Sequence, residues 1–135
     1  MQHAQIFVNL PVKDLKRSVA FFTRLGYTFN PQFTDDNATC MILGDNLFAM
    51  LLVEPYFQTF IEKDVSDAHR TTEVLLAVPV GSREAVDALV EKALAAGAKE
   101  PRPARDYGFM YQRSYDDLDG HTWEVFHMSE MPPAA

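Results

Sequence analysis

The chain has 135 residues, 47% of them apolar, 12% aromatic and 23% charged, which fits one compact domain with a sizeable core and excludes a disordered chain. Twelve Lys and Arg against 19 Asp and Glu leave a net charge of −7, which disfavours nucleic acid and anionic lipid as partners. Cys40 is the lone cysteine, so an internal disulfide and a cysteine-based zinc cluster are excluded.

The opening, MQHAQIFVNL, carries neither a basic segment nor the long apolar run of a secretory leader. The longest apolar run, Leu47 to Val53, is far too short to span a membrane. A cytoplasmic location follows as the expectation, in keeping with a chain without disulfides. The triplet Asn37-Ala38-Thr39 matches a glycosylation sequon and is read as chance.

Residues 5–12 alternate, with Ile6, Val8, Leu10 and Val12 on one face and Gln5, Phe7, Asn9 and Pro11 on the other. This predicts a strand with one face on a core. Asp14 then caps a helix whose apolar stripe is Leu15, Val19, Phe22 and Leu25, and Gly26 stops it. Three strands follow, near 27–33, 38–43 and 47–53, with Asp45-Asn46 as the last turn. The connector 54–72 is too long for a tight turn and contains a short helix near 56–62. It either covers a site or simply joins its neighbours.

The pattern then recurs. Residues 73–80 place Val74, Leu76, Val78 and Val80 on one face and Glu73, Leu75, Ala77 and Pro79 on the other. Ser82 caps a helix bearing Val86, Leu89, Val90 and Ala93, and Gly97 stops it. Strands are expected near 98–101, 109–115 and 121–128, with Asp119-Gly120 as the turn. Strand, helix and three strands, written twice, point to a paired-module fold. The domain plan is module one at 1–53, the connector, module two at 73–128, and a tail at 129–135 whose last five residues are expected to fray.

Three stretches resemble the vicinal oxygen chelate superfamily, which contains glyoxalase I, bleomycin-resistance proteins and extradiol dioxygenases. The first is Val12-Lys13-Asp14-Leu15 with Ser18 and Phe21-Phe22. The second is Ser82-Arg83-Glu84-Ala85-Val86-Asp87 leading to Ala95-Ala96-Gly97. The third is Asp117-Leu118-Asp119-Gly120-His121-Thr122-Trp123-Glu124, in which Leu118 replaces the usual Pro. The resemblance implies an α+β fold of two βαβββ modules, whose curved mixed sheet surrounds a pocket. It also implies a homodimer, and, in metal-using members, one ligand on the first and one on the last strand of each module.

Aligning the two copies puts Phe7, Met50, Leu75 and Glu124 at those four positions. Phe and Leu offer no ligand atom, and Met sulfur suits softer metals. A slide of two residues pairs Glu73 with Glu124, beside Gln5 or Asn9, a set able to hold Mg²⁺ or Mn²⁺ weakly. No histidine joins them readily. His3 sits at the chain start, His69 in the connector, His121 at a turn and His127 on the face opposite Glu124.

Glu124 has two readings: a fold residue bound to a partner such as Arg113, or a general base among Phe7, Met50, Leu75 and Phe126. Tyr111, Arg113 and Tyr115 share a strand face and can anchor a ligand by stacking and hydrogen bonds, or simply serve a half-exposed strand. Met110, Gln112 and Ser114 share the other. Met41, Met50 and Met110 read as core filler, Trp123 as packed under a helix, and Cys40 as a buried thiol. No phosphate loop, nucleophile elbow or Cys–His pair is visible.

The expected function is binding or sequestration of a small organic molecule, neutral or cationic, without a resident cofactor. The pocket residues are Phe7, Asn9, Met50, Glu73, Leu75, Tyr111, Arg113 and Phe126. The alternative is a lyase resembling lactoylglutathione lyase, using Zn, Ni, Mn or Mg at Glu73 and Glu124, with Glu124 catalytic.

Overall fold

The computed structural model describes residues 1–129; the fraying expected of the last five residues falls outside them. The chain forms two compact units, Met1–Asp67 and a second that begins at Ala68. The boundary lies inside the stretch read as a connector.

In the first unit β1 (Ile6–Val12) leads to α1 (Leu15–Leu25), β2 (Thr28–Asn30), β3 (Ala38–Gly44) and β4 (Leu47–Val53). The sheet order is β1-β4-β3-β2. β4 runs parallel to β1 and antiparallel to β3. The Asp14 side chain accepts from the Arg17 backbone N–H at 3.1 Å, capping α1 as its residue type predicts. Gly26 ends α1 in the left-handed conformation at φ 106°, where a Cβ is strained. The helix buries Ser18, Phe21, Phe22 and Leu25. Leu15 and Val19 of the predicted stripe are only half-buried, so the core stripe lies rotated toward Ser18 and Phe21.

One predicted strand is shortened. The stretch 27–33 pairs only over Thr28–Asn30, and a 3₁₀ turn occupies Pro31–Phe33. Pro31 has no N–H for the ladder, and Asn30 Oδ1 accepts from the Gln32 N–H at 3.0 Å, so a turn outcompetes the strand. The connector helix α2 spans Glu54–Gln58, earlier than the predicted 56–62. Pro55 suits its first turn.

The second unit repeats the plan. β5 (Leu75–Pro79), α3 (Arg83–Ala95), β6 (Arg105–Asp106), β7 (Met110–Asp116) and β8 (Thr122–Met128) follow in order. The sheet is β5-β8-β7-β6, with β5 parallel to β8. Ser82 Oγ accepts from the Ala85 N–H at 3.0 Å to start α3, and α3 packs on β7 and β8. The stretch 98–101 is not a strand. Lys99 makes a single bridge to Asp116, and the true edge strand, β6, lies further on. Two prolines, Pro101 and Pro103, cannot donate to a ladder and delay pairing until Arg105.

The internal repeat holds at the level of register. Phe7 faces Phe48 where Leu75 faces Thr122, and Asn9 faces Met50 where Ala77 faces Glu124. Each module therefore pairs its first strand with its last in the same way, giving two α+β modules of the βαβββ kind.

Each sheet has a helix-facing side and an open side. In the second unit Tyr115, Trp123 and Val125 are fully buried on the helix side, with Val86, Val90 and Ala93 of α3. The Trp123 indole donates to Asp117 Oδ2 at 3.0 Å. Asp117 Oδ1 accepts from the Asp119 and His121 N–H groups. Desolvation pushes the buried Asp117 carboxyl above its ordinary range, opposed first by His121 and then by these donors. Gly120, at φ 89°, completes the β7–β8 turn. A Cβ there would lie 2.6 Å from the His69 backbone N and 2.7 Å from the Ala68 carbonyl carbon.

Arg113 is the ionic hub of the helix side. Its guanidinium reaches Asp87 at 3.1 Å, Glu91 at 3.1 Å and Glu100 at 2.9 Å. The Tyr111 hydroxyl donates to Asp87 at 2.7 Å. That hydrogen bond, then Arg113, holds the Asp87 carboxyl below its usual range. A depressed carboxylate contributes stability above the unfolded pKa of about 4, which is lost as pH falls through the folded value. Replacing Arg113 by Met is expected to cost roughly 1–3 kcal/mol at neutral pH, discounted for the exposure of Asp87 and Glu91. The variant should also flatten the loss of thermal stability below about pH 4. Melting curves at several pH values check both. An unchanged acid limb would show that Arg113 does not help hold the Asp87 carboxylate.

Candidate functional site

The open side of the first sheet is set by register. Phe7, Asn9 and Pro11 of β1 share it with Phe48, Met50 and Leu52 of β4 and with Cys40 of β3. Phe7, 46% exposed, stacks on Phe48 with ring centroids 4.8 Å apart. Met50 is half-buried and Asn9 exposed. The Cys40 thiol is buried and its pKa is raised by desolvation, which fits an inert packing role.

The open side of the second sheet carries Leu75 and Ala77, then Thr122, Glu124 and Phe126, then Gln112 and Ser114, and finally Arg105 of β6. Gln112 Nε2 donates to Glu124 Oε2 at 2.8 Å. The predicted Glu124–Arg113 pair does not form. Ser114 lies directly opposite Glu124 and Arg113 opposite Val125, so Arg113 projects to the other side of the sheet, toward α3. Tyr111 goes with it, donating to Asp87 beneath the Arg83 guanidinium, 4.5 Å from the ring centre. Tyr111 and Arg113, predicted as pocket residues, thus direct their polar groups to α3 on the helix side, although Arg113 also borders the depression beside Glu124. The partner of Glu124 is Gln112, which sequence parity had assigned to the other face. The hairpin turn at 117–121 carries the missing signal, because it makes Asp116 and Thr122 partners and so fixes every pair beyond.

A shallow depression opens beside Glu124. Arg102, Pro103, Arg105, Gln112, Arg113, Ser114 and Glu124 line it; it is open to solvent, with room inside for about one water. Arg102 and Arg105 were not singled out from the sequence.

The donor set does not fit a divalent centre. Phe7, Met50 and Leu75 provide no hard donor. Glu73 lies before β5, and β5 presents Ala77, not Glu73, to Glu124. Glu73 sits at a bend outside the ladder, so the register does not bring it opposite Glu124 as the predicted Glu73/Glu124 pair requires. Asp116, on the same face as Glu124, accepts from the Thr122 hydroxyl at 2.6 Å. Among the described residues no three His, Cys, Asp or Glu side chains cluster as metal ligands. His127 Nδ1 meets the Val80 carbonyl oxygen at 3.0 Å, on the helix side. No helix among the described residues is long and apolar enough to cross a membrane.

Comparison with known proteins bears on the fold. The bleomycin resistance protein-like N-terminal family matches residues 5–44. No curated protein matches the sequence. A hypothetical protein from S. aureus is 26% identical, with 94% of this chain and 95% of that one covered and a TM-score of 0.80. A glyoxalase-related enzyme from Fulvimarina pelagi is 23% identical, covering 100% and 94%, with a TM-score of 0.81. A glyoxalase/bleomycin resistance protein/dioxygenase family enzyme from Burkholderia phytofirmans is 19% identical, covering 90% and 96%, with a TM-score of 0.75. The chain has the fold of the glyoxalase/bleomycin resistance/dioxygenase proteins, and the resemblance to the vicinal oxygen chelate superfamily carried by its two strand-to-helix passages and closing hairpin is borne out.

Proposed function

We propose that the protein binds a small organic molecule on the open faces of its sheets without a resident metal. The observation that carries this reading is the chemistry of the four positions where the resemblance implies metal ligands. Three are Phe7, Met50 and Leu75, and the fourth, Glu124, is held by Gln112. Apolar side chains with a few directed polar groups suit ligand binding better than ion coordination. Leu75 is 54% exposed and Phe7 stacks on Phe48, so both sheets offer apolar contact area to a ring or chain.

The test is a fragment screen followed by nuclear magnetic resonance on protein labelled at Met, Leu and Phe. Saturable shifts at Leu75 and Phe126 of the second sheet are expected from aromatic fragments. Calorimetric titration with Ni²⁺ and Zn²⁺ should show no stoichiometric binding tighter than micromolar. Such binding, with turnover of a glutathione hemithioacetal, would replace this reading by the lactoylglutathione-lyase-like one. Dimerisation belongs to the same proposal, since β1 and β5 are sheet edges bearing exposed Ile6, Phe7 and Leu75. The sedimentation mass of the same sample should be that of two chains, and a monomer mass would remove that part.

A further inference from the structure

The net charge of −7 favours a neutral or cationic ligand, but the charge around Glu124 is arranged the other way. Arg102 and Arg105 both line the depression. Arg83 is committed to Asp106 and Arg113 to Asp87, Glu91 and Glu100. Among the described residues, no carboxylate lies within ion-pair distance of the Arg102 or Arg105 guanidinium. Glu124, the carboxylate lining the depression, already receives the Gln112 amide.

Both arginines are presented by stiff backbone. Arg102 stands at a bend between Pro101 and Pro103; each proline fixes its own φ, and Pro103 narrows the backbone choices open to Arg102. Arg105 is fixed by its β6 pairing with Gln112, on the same side of the sheet as Glu124. A backbone ordered in advance lowers the entropic cost of gripping a ligand. Between the arginines and Glu124 lie the Gln112 amide and the nearly buried Ser114 hydroxyl.

We infer that this depression is an oxyanion subsite: Arg102 and Arg105 hold a carboxylate or phosphate group of the ligand, while Glu124 accepts a hydrogen bond from a neighbouring hydroxyl or amine of the same molecule. Guanidinium groups match the planar, multidentate geometry of such oxyanions. The depression has room for about one water and opens to solvent, so the oxyanion sits at its mouth with one oxygen entering, and the apolar remainder of the ligand lies along Phe126 and Leu75. The inference deepens the proposed ligand-binding function and rests on it.

The test uses the intact protein at constant ionic strength. Inorganic phosphate and lactate are titrated separately while the arginine Nε–H and glutamine side-chain amide resonances are followed, with chloride as control. Saturable shifts at Arg102, Arg105 and Gln112 with either oxyanion are expected, and which of the two binds tells carboxylate from phosphate. The double variant Arg102→Gln, Arg105→Gln should weaken that binding about tenfold or more. Both side chains are exposed, so its melting temperature should stay at the parent value and report an intact fold. The inference is overturned by no saturable shift, by equal shifts with chloride, or by undiminished affinity in the double variant. If aromatic fragments move Leu75 and Phe126 while neither oxyanion moves Arg105, the subsite falls and the ligand-binding reading stands.

Discussion

Replacing Gly120 by Ala is expected to destabilise the second module by at least about 3 kcal/mol. Two costs add. The residue sits at φ 89°, where an L side chain is strained. The new methyl carbon would lie within 3 Å of backbone atoms of Ala68 and His69, which cannot yield as the tip of a flexible side chain can. Gly108 separates the two costs, since it has φ 83° but nothing within 4 Å of its Cβ position. Gly108→Ala should lose only the conformational part, about 1 kcal/mol. Urea unfolding of both variants checks the comparison. Equal losses would mean that the backbone at 68–69 does not press on the β7–β8 turn.

Replacing Trp123 by Ala should cost about 3–5 kcal/mol, the range for emptying a large aromatic site. Trp123 is fully buried, its ring stacked on Tyr115 with centroids 6.3 Å apart. Its indole is also one of the donors that make the buried Asp117 carboxylate tolerable. Trp123→Phe keeps much of the packing and removes the donor, so about 1–3 kcal/mol is expected. If Asp117 needs that donor, adding Asp117→Ala to Trp123→Phe should cost less than the two losses summed. Strict additivity in equilibrium unfolding would show that the hydrogen bond carries no stability of its own.

Much of this architecture is legible in the sequence because two periodicities alternate twice. Val8, Leu10 and Val12 identify a half-buried strand, and Leu47–Val53 coincides with β4 to the residue. Asp14 and Ser82 mark both helix starts through their backbone hydrogen bonds. The errors have local causes. Pro31 and Pro101–Pro103 remove ladder donors inside stretches that otherwise read as strands. The site is less legible because it depends on which face each strand turns inward. Tyr111 and Arg113 have the composition of ligand contacts, yet the hairpin register hands them to α3. Their neighbours Gln112 and Ser114, bland as residue types, stand beside Glu124. Arg105 becomes visible only through β6, a strand of two residues.

In both modules the first strand is hydrogen-bonded along its length to the last, in parallel. The hairpins β3–β4 and β7–β8 are local and close over short loops. β1 and β5 instead wait for partners that emerge after the helix and two further strands. Such pairing raises contact order, and chain-closure entropy is lost before it is repaid by contacts. During synthesis each module therefore keeps its opening strand unpaired until its final strand has left the ribosome. Leu10 and Val12, buried in the finished first module, are apolar residues left open during that interval.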